Sequence, residues 1–198
     1  MNNLFFKKTY SVLSSAEIVS KEKSNMTEDR FEHCIGVSKT AKKLAKLNQY
    51  DEDKAELAGF IHDYAKQVSV EEYREVIKTK GFDQDLLNWN RSIWHGIVGT
   101  YFIQRDLKIN DSEILTAVRR HTTADVEMTT LDKIVFMADY IEPGRSFPGV
   151  EEARKITYAN LDQGVGYQLA HTLEFLIEKR NKIYPRTLDA YNVWGIKE

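Results

Sequence analysis

His62 and Asp63 are adjacent on a stretch whose apolar residues recur at helical spacing. Histidine and carboxylate together are ligands for metals of hard to borderline character, such as Fe, Mn, Zn, Co or Ni. His33, His95, His121 and Asp139 fall at similar positions on other predicted helices. Four of the chain's five histidines belong to this set, which favours a metal centre over unrelated histidines. A lone histidine on an apolar helix face is ordinarily a hydrogen-bonded core residue. Four of them with two aspartates on buried faces are a different case. An unpaired buried carboxylate is costly or loses its charge, and a dication reverses that cost. His171 falls off the stripe of its helix, beside Gln168 and Glu178, and reads as a surface histidine.

The elements that must carry these residues are helical, with no βα alternation. A first clear helix starts near Thr27, with Glu28 and Asp29 in its first turn and Cys34, Val37, Ala41, Leu44 and Ala45 as its apolar stripe. His33 borders that buried face. A second starts near Asp51, with Ala55, Ala58, Gly59 and His62 on one side. Asp63 falls about 100° further round, so both residues can flank one point from a single turn. Two helices are predicted at about 70–80 and 84–91, and another from Ile93 to Leu107 with His95 in its first turn. Asp111 reads as the N-cap of a helix whose stripe, Ile114, Ala117 and Val118, continues into His121. Thr130 reads as the cap of a helix through Tyr140, with Leu131, Ile134, Val135 and Ala138 facing the core and Asp139 and Glu142 beside them. Residues 143–149 hold Pro143 and Pro148 and form a stiff loop next to Asp139. A long helix is predicted from Leu161 to Ile183, then a short one after Pro185 to Trp194. Residues 1–26 read as an N-terminal extension, one or two short helices packing on the domain formed by residues 27–198.

With 198 residues, 42% hydrophobic and 29% charged, the chain is long enough for one domain with a substantial core. The net charge is −2 with both signs interleaved, and no basic stripe suits a nucleic acid. Lys39, Lys42, Lys43 and Lys46 read as the solvated face of a helix. Cys34 is the single cysteine, so no intrachain disulfide can form, which fits a reducing cytoplasm. It lies on an apolar stripe and reads as core. No apolar run follows Lys7 and Lys8 to make a signal peptide, and none approaches the ~20 residues of a membrane span. A cytoplasmic, non-membrane protein is expected; a homodimer is left open.

The ordered series resembles the HD-domain metal-dependent phosphohydrolases, and more closely the YqeK family of symmetrical bis(5'-nucleosyl)-tetraphosphatases. The resemblance is carried by Arg30–His33, by Gly59–Lys66 with its His62-Asp63 pair, and by Trp94-His95-Gly96. It continues through Arg119–Thr122, Ala138–Arg145, Tyr184-Pro185 and Asn192. It covers residue 27 to the end and implies an all-α HD-domain bundle with a metal site in its core. It further implies two divalent metals, iron above all, with Mn, Co, Ni or Zn as alternatives. His33, His62, Asp63 and Asp139 would hold one, and Asp63 would bridge to a second held by His95 and His121. The implied substrates are dinucleoside polyphosphates, chiefly diadenosine tetraphosphate cleaved to two ADP.

Two metals about 3.5–4 Å apart can share a water and bring its pKa toward neutrality. The resulting hydroxide is expected to attack one inner phosphorus in line. ADP is a fair leaving group, so neutralising charge matters more than protonating it. Lys66, one turn after His62, is expected to bind a phosphate oxygen and to serve catalysis with Asp63. Arg145 and Arg119 are further phosphate candidates, and Thr122 and Glu142 are placed to orient ligands. Trp94 and Tyr140 could stack on a base, although aromatic residues at helical spacing are more often core. Competing readings are an HD phosphohydrolase acting on deoxynucleoside monophosphates or guanosine alarmones, and a non-catalytic nucleotide sensor. A cyclic-dinucleotide phosphodiesterase lacks its GYP element here.

Overall fold

The computed structural model describes Phe6 and residues 10–196, with eleven α-helices and no strand among them. The all-α expectation holds. Helix α1 (Ser15–Ser24) opens on a capping box between Ser14 and Glu17. Helices α2 (Glu28–Leu47) and α3 (Glu52–Ile61) lie against each other. Cys34, Val37, Ala41, Leu44 and Ala45 are fully buried, as their spacing predicts. The two helices approach closely because residue 59 is glycine: a Cβ there would lie 2.9 Å from the Ala41 Cβ and 3.1 Å from the Val37 carbonyl oxygen.

Helix α3 starts at Asp51, whose side chain accepts from the backbone N–H groups of Asp53 and Lys54. It stops at Ile61, earlier than its apolar pattern predicts, and tight turns run from residue 62 to 67. The reason is local. The His62 ring donates from Nδ1 to the Gly59 carbonyl at 2.8 Å, the acceptor that a continuing helix would offer to the Asp63 N–H. The backbone tightens instead, with Lys66 N–H donating to the Asp63 carbonyl at 2.8 Å.

Helix α4 (Val70–Thr79) follows a Ser69 cap. The helix predicted at 84–91 is a 3₁₀ segment, Gln84–Asn88, ended by extended backbone at Trp89. The helix predicted from Ile93 to Leu107 starts earlier, capped by Asn90, and is divided into α5 (Arg91–Ile97), α6 (Gly99–Phe102) and a π segment, Ile103–Leu107. Helix α7 (Ser112–Arg120) has the predicted Asp111 cap. Helix α8 (Thr130–Ile141) is capped by Thr129 with Asp132, one residue before the expected Thr130. Helix α9 (Val150–Ala159) was not predicted from the sequence; its buried residues are Val150, Ala153 and Thr157. Helix α10 (Leu161–Glu178) ends before the predicted Ile183, and α11 (Pro185–Trp194) closes the chain's helical part with proline in its first turn.

Helix α8 packs on α2, α3, α7, α9 and α10, and α3 also meets α7. The ends of α3 and α7 and the faces of α2, α5 and α8 therefore converge. No described helix is long and apolar enough to cross a membrane. Near the N-terminus, Phe6 and Ile18 are buried, and the Asn25 amide donates to the Tyr64 carbonyl at 2.6 Å. Residues 1–5 and 7–9, including Lys7 and Lys8, lie outside the described residues, as does part of the short helices expected over 1–24.

Glu22 of α1 is fully buried, and neither of its carboxyl oxygens has a hydrogen-bond partner among the described residues. Burial, then the nearby Asp63 charge, pushes its carboxyl well above the ordinary value of 4.5. The raised folded value means its contribution is most favourable below pH 4.5 and is lost as pH rises through the raised value. Glu22→Met is accordingly expected to stabilise the fold by about 1–3 kcal/mol at pH 8, and by less near pH 4.5. Urea melts at the two pH values test this; equal gains at both would contradict it.

Candidate active site

Four imidazoles turn their Nε2 atoms toward one another and toward two carboxylates. His33 Nε2 is 3.0 Å from Asp139 Oδ1, and His62 Nε2 is 3.7 Å from the same oxygen. The two oxygens of Asp63 face different rings. Oδ2 lies 3.6 Å from His62 Nε2, and Oδ1 lies 3.3 Å from His95 Nε2 and 3.6 Å from His121 Nε2. His33, His62 and Asp139 form one group of donor atoms close enough to hold a cation, and His62, Asp63 and His121 form another.

Each ring is oriented from behind. Nδ1 of His62 donates to Gly59, that of His121 to Val118 at 2.6 Å, and that of His95 to Arg91 at 3.0 Å, all backbone carbonyls. His62 and His121 each sit just past a helix end and bond the carbonyl three residues back. His33 donates from Nδ1 to Glu142 Oε1 at 3.1 Å. With the proton on Nδ1, every neutral ring presents an Nε2 lone pair to the centre. His33 Nε2, His62 Nε2 and Asp63 Oδ1 are buried with no hydrogen-bond partner among the described residues. Lone pairs and carboxylate oxygens this close repel unless positive charge lies between them, so the donor set fits divalent cations.

The titration behaviour agrees. Burial holds His62 and His95 below the ordinary 6.5, His95 well below, with Lys66 and His121 adding to the effect on His95. Burial would raise the Asp63 carboxyl, but His62, His121, Lys66 and His95 outweigh it and hold it well below 3.8. Asp139 follows the same logic: burial raises it, and His33, His62 and Arg145 pull it well below 3.8. All four shifts make the unfolded chain the better proton binder in acid. Stability of the metal-free protein is expected to fall as pH drops from 6.5 through the depressed histidine values, and again below 3.8. Urea midpoints that do not move between pH 7.5 and 5 would contradict this.

The structure brings Lys66, Thr122 and Arg145 to this centre. Lys66 Nζ is 2.9 Å from His95 Nε2 and 3.5 Å from Asp63 Oδ1. Thr122 Oγ1 is 3.0 Å from Nε2 of both His95 and His121. Arg145 donates to Asp139 through Nη2, and from Nε to the Asp139 carbonyl at 2.8 Å. Glu142 is buried on His33, in space left by the missing side chain of Gly36, where a Cβ would lie 2.5 Å from Glu142 Oε2. Arg119 is not brought in: it is exposed, on the wall of a cavity with Phe82, Asp125, Tyr184 and Arg186. Trp94 is core, 2% exposed, its indole donating to the Leu86 carbonyl. His171 is half-buried and stacks on Tyr167, ring centroids 3.9 Å apart, rather than standing free on the surface.

Sequence reasoning assigned no role to Arg30. Its guanidinium donates to Asp63 Oδ2 at 2.8 Å while remaining partly exposed. It lies one turn before His33, and that spacing was the available signal.

Two cavities flank Thr172 of α10. One, of about 720 Å³, is lined by Tyr140, Phe147, Pro148, His171 and Phe175. The Tyr140 and Phe147 rings pack 4.7 Å apart. The other, of about 570 Å³, is lined by Trp89, Ile93, Thr122, Arg180, Lys182 and Tyr184, and reaches the His95–His121 side through Thr122.

The HD domain family matches residues 30–144, which span all six donor residues. The chain is 44% identical to a protein of Halalkalibacterium halodurans named symmetrical bis(5'-nucleosyl)-tetraphosphatase, over 86% of this chain and 91% of that one. It is 39% identical to a protein of Bacillus subtilis with the same name, over 91% and 97% of the two chains. Among solved structures, a predicted HD superfamily hydrolase involved in NAD metabolism from Clostridium acetobutylicum superposes with a TM-score of 0.88 at 33% identity, covering 92% of this chain and 97% of that one. The helical bundle, the buried histidine–aspartate centre and these likenesses agree: the chain belongs to the HD-domain family and, within it, to the family of the symmetrical bis(5'-nucleosyl)-tetraphosphatases.

Proposed function

We infer that this protein is a metal-dependent hydrolase that cleaves diadenosine tetraphosphate, and related dinucleoside polyphosphates, symmetrically to two ADP. The observation that carries the reading is the buried set of four Nε2 atoms around two carboxylates, each ring held by its Nδ1. In this reading His33, His62, Asp63 and Asp139 hold one divalent metal and Asp63, His95 and His121 a second, iron in the first instance. When bound, the metals supply an activated water and neutralise phosphate charge.

The protein's own groups do the rest. Asp63 turns one oxygen to each side of the centre and so ties the two halves together. Lys66, Arg145 and the missed Arg30 supply positive charge to the phosphate chain, and Thr122 orients the His95–His121 pair. Arg119, facing another cavity, is left out. A substrate with two identical nucleoside ends and a central scissile bridge needs room on both sides of the metals. The cavity at Ile93–Tyr184 opens on Thr122 and offers room for one end, and the cavity at Tyr140–Phe147 lies across Thr172 from it, with the half-buried Tyr140 rather than Trp94 available to a base. Residues 1–26 are assigned as an extension packed on the HD domain, supported by buried Ile18 and the Asn25–Tyr64 contact.

A substrate panel tests the assignment. Under Fe²⁺, Mn²⁺ or Co²⁺, diadenosine tetraphosphate is expected to turn over with a kcat/KM at least about 10²-fold above deoxynucleoside monophosphates and guanosine alarmones. A reversed order would shift the assignment to another HD phosphohydrolase. Metal-loaded protein inert to the whole panel would favour a nucleotide sensor.

A further inference from the structure

Helix α9 was absent from the sequence-based expectation, and it carries the arginine that holds the active-site loop together. Arg154 donates from Nε to the Ile141 carbonyl at 3.0 Å, and from Nη2 to the carbonyls of Glu142 at 2.8 Å and Arg145 at 2.9 Å. Its remaining nitrogen, Nη1, pairs with the exposed Glu151. Its side chain is only 18% exposed.

These carbonyls need such a donor. Glu142 leaves the helix with ψ 154°, and Pro143 has no N–H to continue it. The carbonyls of Ile141 and of the C-cap Glu142, the latter also accepting from the Arg145 N–H at 3.0 Å, then lie at the negative end of the helix dipole, where a cation is favoured. One planar guanidinium fastens these two together with the loop carbonyl of Arg145, which a lysine ammonium cannot match in geometry. The fastened loop is the one that sets the Glu142 carboxylate on His33 Nδ1 and the Arg145 guanidinium on Asp139.

We propose that Arg154 is a positioning residue for the metal centre: by clamping the 141–145 loop it fixes Glu142 against His33, and so sets metal affinity on the His33–Asp139 side. The proposal rests on the reading of the centre as a metal site and is independent of the substrate assigned to it. Arg154 touches no donor atom of the centre itself and acts through Glu142 and Arg145.

The test is Co²⁺ binding by chelator competition, with the full chain, for wild type, Arg154→Lys, Arg154→Gln, Glu142→Gln and the Arg154→Lys/Glu142→Gln double variant. Arg154→Lys is expected to keep the helical circular dichroism of wild type and to weaken the affected Co²⁺ site about 10-fold. The double variant is expected to be little weaker than Glu142→Gln alone, because both act on one contact. A merely structural role would lower the melting temperature and leave Co²⁺ affinity unchanged, and that result in Arg154→Lys overturns the proposal. So does full additivity with Glu142→Gln. Should Arg154→Gln fail to fold, Arg154→Lys, which keeps charge and most of the length, decides alone. Wild type that takes up no Co²⁺ overturns the metal reading beneath the proposal, and is told apart from failure of the clamp by that first titration.

Discussion

Asp63→Ala is expected to lose both metals and to reduce kcat by about 10³-fold or more. In the proposed arrangement Asp63 is the bridging ligand, although His62 belongs to both groups of donor atoms close enough to hold a cation. The two Asp63 oxygens lie between His62 on one side and His95 with His121 on the other. They also receive Arg30 at 2.8 Å and Lys66 at 3.5 Å. Removing the carboxylate takes away the counter-charge of those two cations and leaves Asp139 as the one carboxylate of the donor set, an arrangement that holds a dication less well. Both cations are about a third exposed, so solvent screens the loss of their partner and the metal-free variant should melt only modestly earlier. Metal content of the purified variant, measured alongside kcat, checks both claims. Wild-type metal content in Asp63→Ala would remove the bridging role, whatever the activity.

Lys66→Ala has the second largest expected effect, and of a different kind. The ammonium is 34% exposed and sits on the donor atoms of His95 and Asp63, which marks where positive charge is wanted. A dinucleoside tetraphosphate brings several negative charges to that place. Loss of Lys66 should retain the metals and lower kcat/KM about 10²-fold, with Lys66→Arg recovering part of it. Steady-state kinetics with a parallel metal analysis separates the two variants: Asp63→Ala loses metal, Lys66→Ala does not. Unchanged KM and kcat in Lys66→Ala would take this residue out of the site.

The donor set was legible in the sequence because its members lie on strongly patterned helices. Val37, Ala41 and Leu44 fix the face that His33 borders, and Ile114, Ala117 and Val118 lead directly to His121. What the pattern could not give was where those helices stop. His62 and His121 end α3 and α7 by bonding carbonyls three residues back, a competition between side chain and backbone that apolar spacing does not register. Helix α9 was hidden for another reason. It buries Val150, Ala153 and Thr157, too few and too small to stand out, and it begins straight after a proline–glycine loop. Arg154 went unnoticed with it.

The proposed phosphate-binding residues were the least legible, since a surface arginine and a substrate-binding arginine look alike in one dimension. Arg145 was separated from Arg119 only by tertiary placement: one reaches Asp139, the other faces a cavity with Arg186. Trp94 was ambiguous in the same way until its indole was found on the Leu86 carbonyl inside the core.

Hydrolysis at the middle of a symmetrical substrate puts the oxygen of water on one of two identical products. Its most direct test is product analysis in ¹⁸O-labelled water, with protein purified anaerobically without chelator and given diadenosine tetraphosphate and Fe²⁺. Ion-exchange chromatography followed by mass spectrometry should find ADP alone, with one ¹⁸O in half of the molecules. AMP and ATP as products, or label carried by AMP, would place the cleavage away from the central bridge.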